Sequence, residues 1–290
     1  IGVRLVGSEM CIRDRGYVPP YAQAGGDGVM VLKPEQKPVL LLRGLLRESR
    51  HWLDFPSLLS AKLQRPVLTL DLPGCGALYQ QSSASSIPAL RSQLQQQWAE
   101  LYPEEQGKAF DLVAISMGGM LALDWALNAP EQVKSVTLIN SSSAGLSPFW
   151  QRLHPRNYLK ILLCVVAGPL KREELIWQMT VSSPLQSDVL ELWQHWAIQH
   201  PVSRSNALRQ LWAASRFQLT ARPACPVFVV SGLADQLVSP LCSQALAHKL
   251  NAALLTHAEA GHDLPLEAGP WLADVIDQNL NEVYRQYSCV

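Results

Sequence analysis

The apolar positions of the chain gather into short runs, separated by stretches with helical spacing. Val29–Leu32, Val39–Leu42, Val67–Leu70, Leu112–Ile115, Val136–Ile139 and Val227–Val230 read as strands, and Ala253–Thr256 is a seventh candidate. Between them Trp52–Leu63, Ile87–Leu101, Gly119–Asn128, Pro240–Leu250 and Pro270–Tyr284 read as helices. Strand–helix alternation of this kind predicts an α/β fold, a mostly parallel central sheet flanked by helices on both faces. The runs VLLL and FVV have no polar interruption, as strands buried on both faces require.

The alternation stops between Leu146 and Pro223. This block has no convincing strand, yet it carries five of the nine tryptophans: Trp150, Trp177, Trp193, Trp196 and Trp212. It reads as a helical insertion ahead of the Val227–Val230 strand. The organisation expected is an α/β core over residues 16–145 and 224–290, with a helical cap over 146–223. Trp193 and Trp196 are three apart, so a helix brings both indoles to one face. That spacing predicts an apolar lid with at least one of the five indoles facing the site, and medium-chain or aromatic groups preferred over acetate. Plain helix packing is the competing account. Gln80–Ser86 is a polar loop. Residues 1–15, IGVRLVGSEMCIRDR, resemble translated sequencing-adapter read-through and are set apart from the fold.

Composition narrows the classes. At 48% hydrophobic and 17% charged, the chain can bury a sizeable core, which excludes disorder over most of its length. Lys+Arg and Asp+Glu number 24 each, so overall charge gives no case for nucleic acid or an anionic membrane as partner. The cysteines at 11, 75, 164, 225, 242 and 289 stand singly, without the spacing of a zinc or redox site. Reduced thiols and a cytoplasmic location are the expectation. The longest apolar run, Ile161–Ala167, lies between Lys160 and Lys171 and is too short to span a bilayer.

Phe110–Leu127, FDLVAISMGGMLALDWAL, is the most informative stretch. An apolar strand enters Ser116, two glycines follow, and a helix begins. A nucleophile at the tip of a sharp strand-to-helix turn needs small neighbours, and Ala114, Gly118 and Gly119 supply them. The helix start adds partial positive charge where an oxyanion would form, with the Met117 N–H beside the hydroxyl.

These residues resemble the nucleophile elbow of the α/β-hydrolase fold superfamily, with Ala114 where the family usually has glycine. The resemblance covers roughly residues 28–284. In its light VVSGLADQLVSP places the acid at Asp235, and EAGHDLPLE places the histidine at His262. The chain order Ser116, Asp235, His262 is that of the family. His257 is the nearest competing histidine. Asp71 and Asp111 fall in other loops, the strand that ends at Asn140 carries no carboxylate there, and Asp263 is expected to face solvent. The family's second oxyanion donor follows the strand ending at Leu42, where Arg43-Gly44-Leu45 stands in place of His-Gly-x. The resemblance therefore implies the Leu45 and Met117 N–H groups as the oxyanion hole. Arg43 is expected to support the loop or, alternatively, to contact an acidic substrate group. Gly44, Trp52, Trp150 and Trp193 join Arg43 as substrate-binding candidates. DLPGCG (Asp71–Gly76) and RHWLDF (Arg50–Phe55) are further matches.

A serine at the elbow suits acyl transfer. The reading is a serine hydrolase acting on a small carboxylic ester through an acyl-enzyme, with neither metal nor organic cofactor. Thioester, amide or C–C bond hydrolysis, cofactor-free peracid formation and a non-catalytic ligand-binding module are the alternatives. A nucleotide-binding protein is excluded, because neither G-x-G-x-x-G after a first strand nor G-x-x-x-x-G-K-[ST] occurs.

Overall fold

A computed structural model describes residues 37–288. The candidate strand Val29–Leu32, residues 1–15, Cys11 and Cys289 lie outside the described residues. Six strands, β1 (Val39–Leu42), β2 (Val67–Leu70), β3 (Phe110–Ile115), β4 (Val133–Ile139), β5 (Val227–Gly232) and β6 (Ala253–His257), form one sheet in the order β2-β1-β3-β4-β5-β6. Every pairing is parallel. β4 begins three residues before its apolar run, because the half-buried Lys134 interrupts the pattern without breaking the ladder.

The period of two in β1 sorts the core. Leu40 and Leu42 join one apolar layer with Leu112, Leu138 and Val229, packed under α2 (Ile87–Leu101) and α3 (Met117–Asn128). Val39 and Leu41 point the other way, into a layer with Val113, Ile139 and Val230. That second face is covered by α1 (Phe55–Leu63) and the C-terminal helix described below. The helix expected from Trp52 is in two pieces. Residues 49–52 make a 3₁₀ turn, Leu53 takes φ 51°, and α1 starts afresh with Pro56 in its first turn, where a missing N–H costs nothing.

Between β4 and β5 lie α4 (Phe149–Arg152), α5 (Tyr158–Val166), α6 (Pro169–Thr180), α7 (Ser187–Gln199) and α8 (Arg204–Arg216), with no strand among them. They hold an apolar cluster of their own, which includes Cys164, Ile176, Trp177, Met179 and Trp193. The chain closes with α9 (Pro240–Leu250), α10 (Leu264–Glu267) and α11 (Gly269–Ser288). No helix among the described residues is long and apolar enough to cross a membrane.

A buried polar cluster sits at the amino end of the strands. The Asp111 carboxylate accepts from Arg65 Nη2 (2.5 Å), Ser135 Oγ (2.6 Å) and the Tyr284 hydroxyl (2.7 Å), tying β3 to β4 and α11. Removing one partner of such a buried pair strands the other, so Asp111→Asn should cost about 3–5 kcal/mol. Urea denaturation reads this as a lowered midpoint at unchanged slope. Lys62→Ala, which breaks an exposed pair with Asp274, should leave the midpoint unmoved.

Candidate active site

Because the strands are parallel, their carboxyl ends share one edge, and Arg43, Ser116, Asn140 and the loops bearing Asp235 and His262 all follow them there. Ser116 links β3 to α3 at φ 57°, a left-handed backbone that a non-glycine residue holds only under constraint. The constraint is visible. The Ser116 N–H donates to the Ile139 carbonyl (2.8 Å), and its own carbonyl accepts from Gly119 N–H (3.0 Å) and Ser141 Oγ (2.8 Å). A Cβ at Gly118 would lie 2.4 Å from the Leu42 carbonyl oxygen, so glycine is what lets α3 start against the end of β1.

Asp235 and His262 come together from loops 27 residues apart. Asp235 Oδ2 lies 2.7 Å from His262 Nδ1, with both side chains buried. The other carboxylate oxygen accepts from the N–H groups of Leu237 (2.8 Å) and Val238 (3.0 Å), which fixes the carboxyl plane. His257 stays on β6, where its Nδ1 accepts the Ala260 N–H (3.0 Å) and its ring meets Trp271. It lines neither cavity beside Ser116.

Asp263 corrects the expectation of a solvent-facing side chain. It is 2% exposed and takes both guanidinium nitrogens of Arg43, at 3.1 and 2.6 Å. Arg43 thus neutralises a buried carboxylate of the histidine loop, and its charge is not held ready for an acidic substrate. Burial works against the Asp263 charge, but the adjacent Arg43 charge and its hydrogen bonds, helped by Arg47 and His262, hold the carboxyl below its usual range. Trp52 lies beneath, fully buried, with the Arg43 guanidinium 4.9 Å from its ring and Phe55 stacked against it.

Two cavities flank Ser116. One, of about 60 Å³, is lined by Gly44, Leu45, Ser116, Ile161, Met179 and His262, among others. The second, of about 100 Å³, is bordered by Ser116, Met117, Met120, Phe149, Ile161 and Leu237 in particular. Leu45, Ile161 and Leu237 belong to both. None of the five tryptophans lines either cavity, which corrects the expectation of an indole facing Ser116. Trp193 is spent on packing: Trp177 lies 5.2 Å away and the Arg47 guanidinium 4.1 Å from its ring. Trp150 is 61% exposed and points away from the core. The apolar walls come from aliphatic side chains, methionine and Phe149 instead, with Arg43, Arg47 and Arg152 among the polar lining.

Comparison with known proteins agrees with this architecture. Residues 39–275 match the family described as "Alpha/beta hydrolase family". The chain belongs to the alpha/beta hydrolase family. It is 24% identical over 239 residues to a protein named "Putative carbamate hydrolase RutD" in Rhizobium rhizogenes, covering 79% of this chain and 86% of that one. A protein of the same name in Klebsiella pneumoniae is 29% identical over 228 residues, covering 73% and 79%. Among solved structures, the 2-hydroxy-6-oxo-6-phenylhexa-2,4-dienoate hydrolase of Rhodococcus sp. strain RHA1 superposes with TM-score 0.71 at 20% identity over 86% of this chain and 92% of its own. An esterase from Thermogutta terrifontis gives 0.66 at 20% identity, over 85% and 90%.

This alpha/beta hydrolase is a hydrolytic enzyme, and its site rests on residues that the motifs did not single out. Asn140 Nδ2 donates to the carbonyls of Gly261 (3.1 Å) and His262 (2.9 Å), while its Oδ1 accepts the Gly232 N–H (2.9 Å). Glu267 accepts from the N–H groups of Gly261, Ser182 and Ser183, joining the histidine loop to the end of α6. Arg47 pairs with Glu173 of α6 (2.5 Å) and lies 2.9 Å from His51 Nε2. Burial, with the positive charges of Arg47 and Arg43, holds the His51 imidazole neutral, its pKa well below the usual value. Three arginines within eight residues of a buried strand, Arg43, Arg47 and Arg50, are the one sequence signal of this network.

Arg43→Met should destabilise the hydrolase by about 3–5 kcal/mol at neutral pH, since Asp263 is left buried and unpaired. Arg43→Met/Asp263→Leu should recover most of that loss. The folded-state carboxyl of Asp263 lies below its unfolded value, so the pair's contribution is present above pH of about 4 and fades as pH falls through the depressed value. Urea midpoints measured across that range should show an acid limb in the wild type that is reduced in the double variant.

Proposed function

We propose that this chain is a serine hydrolase of small carboxylic esters, with Ser116 as nucleophile, His262 as general base and acid, and Asp235 as the residue that orients and stabilises the histidine. The observation that carries the reading is the 2.7 Å contact between Asp235 and His262 Nδ1, beside a cavity that His262 and Ser116 line together. With Nδ1 engaged by Asp235, Nε2 is the ring nitrogen free to take the Ser116 proton. Attack of Oγ on the ester carbonyl forms the tetrahedral adduct, whose oxyanion the Leu45 and Met117 N–H groups would receive. Collapse expels the alcohol, which takes the proton back from His262. Water, activated by the same imidazole, then releases the acid and frees Ser116. The closeness of the loop supports this geometry: a Cβ at Gly44 would lie 3.0 Å from Ser116 Cβ, so glycine lets the oxyanion loop approach the nucleophile without crowding it.

Helices α4–α8 are read as the cap. Ile161 of α5 borders both cavities, and Ile176 and Met179 of α6 border the smaller one, so the cap would supply the apolar wall for acyl and alcohol groups. Carbamate cleavage is the second reading. The names of the relatives favour it, as do the Arg43 Nε and Arg47 Nη2 groups, buried without a hydrogen-bond partner in residues that line the smaller cavity and thus suited to an extra polar atom.

A fluorophosphonate probe should label Ser116, identified by peptide mapping, and Ser116→Ala should lose labelling and at least about 10³-fold in turnover with an unchanged fold. Asp235→Asn should be nearly as damaging, because it reverses the tautomer preference of His262. Labelling elsewhere, or near wild-type turnover in a folded Ser116→Ala, would overturn the assignment. Across p-nitrophenyl esters of rising chain length, medium-chain acyl groups should turn over faster than acetate, and Ile161→Ala should move the peak to longer ones.

A further inference from the structure

The outer surface of the helical block is unlike the rest of the molecule. Seventeen large hydrophobic side chains are exposed among the described residues, and eight of them fall between Phe149 and Leu170. Leu159, Leu162, Leu163 and Val166 recur at i, i+3, i+4 and i+7, a single stripe along the outside of α5, with Leu159 66% and Leu162 62% exposed. Phe149, Trp150 and Tyr158 extend it at the amino end, where the Phe149 and Tyr158 rings lie 5.7 Å apart. Isolated exposed leucines are ordinary on a protein surface. A contiguous stripe with aromatic residues at its border marks an interaction surface.

Charge decides what it fits. No carboxylate occurs between residues 132 and 172, and the basic side chains at the surface beside the stripe are Arg156 and Lys160. Arg156 precedes α5, Lys160 lies within it, and Arg204 donates to the Val166 carbonyl at its far end (3.1 Å). Lys171 pairs with Glu174 at 2.5 Å, and Arg152 and Arg172 donate to backbone carbonyls, so none of these three adds to the charge at the stripe. A leucine stripe edged by cations, with tryptophan and tyrosine at its rim, matches an anionic lipid surface, where acyl chains meet phosphate headgroups. A second copy of the chain fits less well, because an isologous contact would press two copies of the same cationic patch together. We propose that the face formed by α4, α5 and the start of α6 docks on anionic lipid surfaces. The opposite side of α5 carries Ile161 and Cys164 against the cavity beside Ser116, so docking would bring that cavity within one helix diameter of the lipid.

Flotation of the full chain with vesicles tests this. Vesicles of phosphatidylcholine mixed with phosphatidylglycerol should carry the protein, and phosphatidylcholine alone should carry it at least about tenfold less. Leu159→Gln/Leu162→Gln should abolish flotation, while Arg156→Glu/Lys160→Glu should reduce it about tenfold or more on anionic vesicles. All four side chains lie outside the Ser116 cavities, so thermal midpoint and reactivity of Ser116 towards fluorophosphonate should be unchanged in both variants. Failure of the wild type to float, equal binding to both vesicle types, or a dimer in sedimentation that Leu159→Gln/Leu162→Gln dissociates would each overturn the proposal.

Discussion

The pair formed by Arg43 and Asp263 is the contact on which the arrangement of the site depends. Arg43 opens the loop after β1 that carries Gly44 and Leu45, and Asp263 follows His262 directly. Two parallel hydrogen bonds between planar groups fix orientation as well as distance, which a lysine in that place would not. Loops 220 residues apart in sequence are thereby locked together, and the imidazole keeps its place relative to the backbone N–H groups across the cavity. Asn140 holds the same loop from below through two carbonyls, and Glu267 holds it through the Gly261 N–H. The histidine loop is thus determined by side chains that directly follow β1 and β4 and by one from α10, and not by its own conformational preference.

Buried charge is used in the same way between core and helical block. Arg47 meets Glu173 of α6 under the Trp193 indole, and Glu48, beside Arg50, faces His200 past the end of α7. Burial raises the Glu48 carboxyl to about 7, partly offset by Arg50. Such pairs add little net stability compared with apolar contacts of similar volume, but each punishes a misplaced partner severely. They select one seating for helices whose leucines alone could slide.

The central strands were legible because they are buried on both faces and carry their signal in unbroken runs such as VLLL and FVV. The turn at Ser116 was legible because sharp geometry demands small residues at fixed offsets, and sequence records that demand. The helical insertion was legible as a stretch without strands. The direction in which its tryptophans point was not, since a large ring serves a cavity wall and a packed interior equally well until the neighbouring arginines are placed. Asp263 illustrates the same limit. A carboxylate in a polar loop looks solvated until its partner, 220 positions away, is known. Asn140 lay open to view at the end of β4, but nothing in its surroundings in sequence announced that it binds backbone across the sheet. Local patterns report local demands, and the long-range partners of polar groups leave few of them.

The Asp111 cluster at the opposite edge bears on the order of events during synthesis. Its partners come from residues 65, 135 and 284, so the carboxylate at the start of the central strand waits for a hydroxyl 173 positions later before its hydrogen bonding is complete. While the chain is still on the ribosome, β1 to β4 can assemble, but the face that α11 covers remains open and Asp111 remains short of one partner. Chain growth at about 5–20 residues per second leaves that face uncovered for about 7–30 seconds. A nascent chain of this fold therefore has a defined interval in which chaperones or aggregation compete for its second apolar layer, and the arrival of Tyr284 closes it.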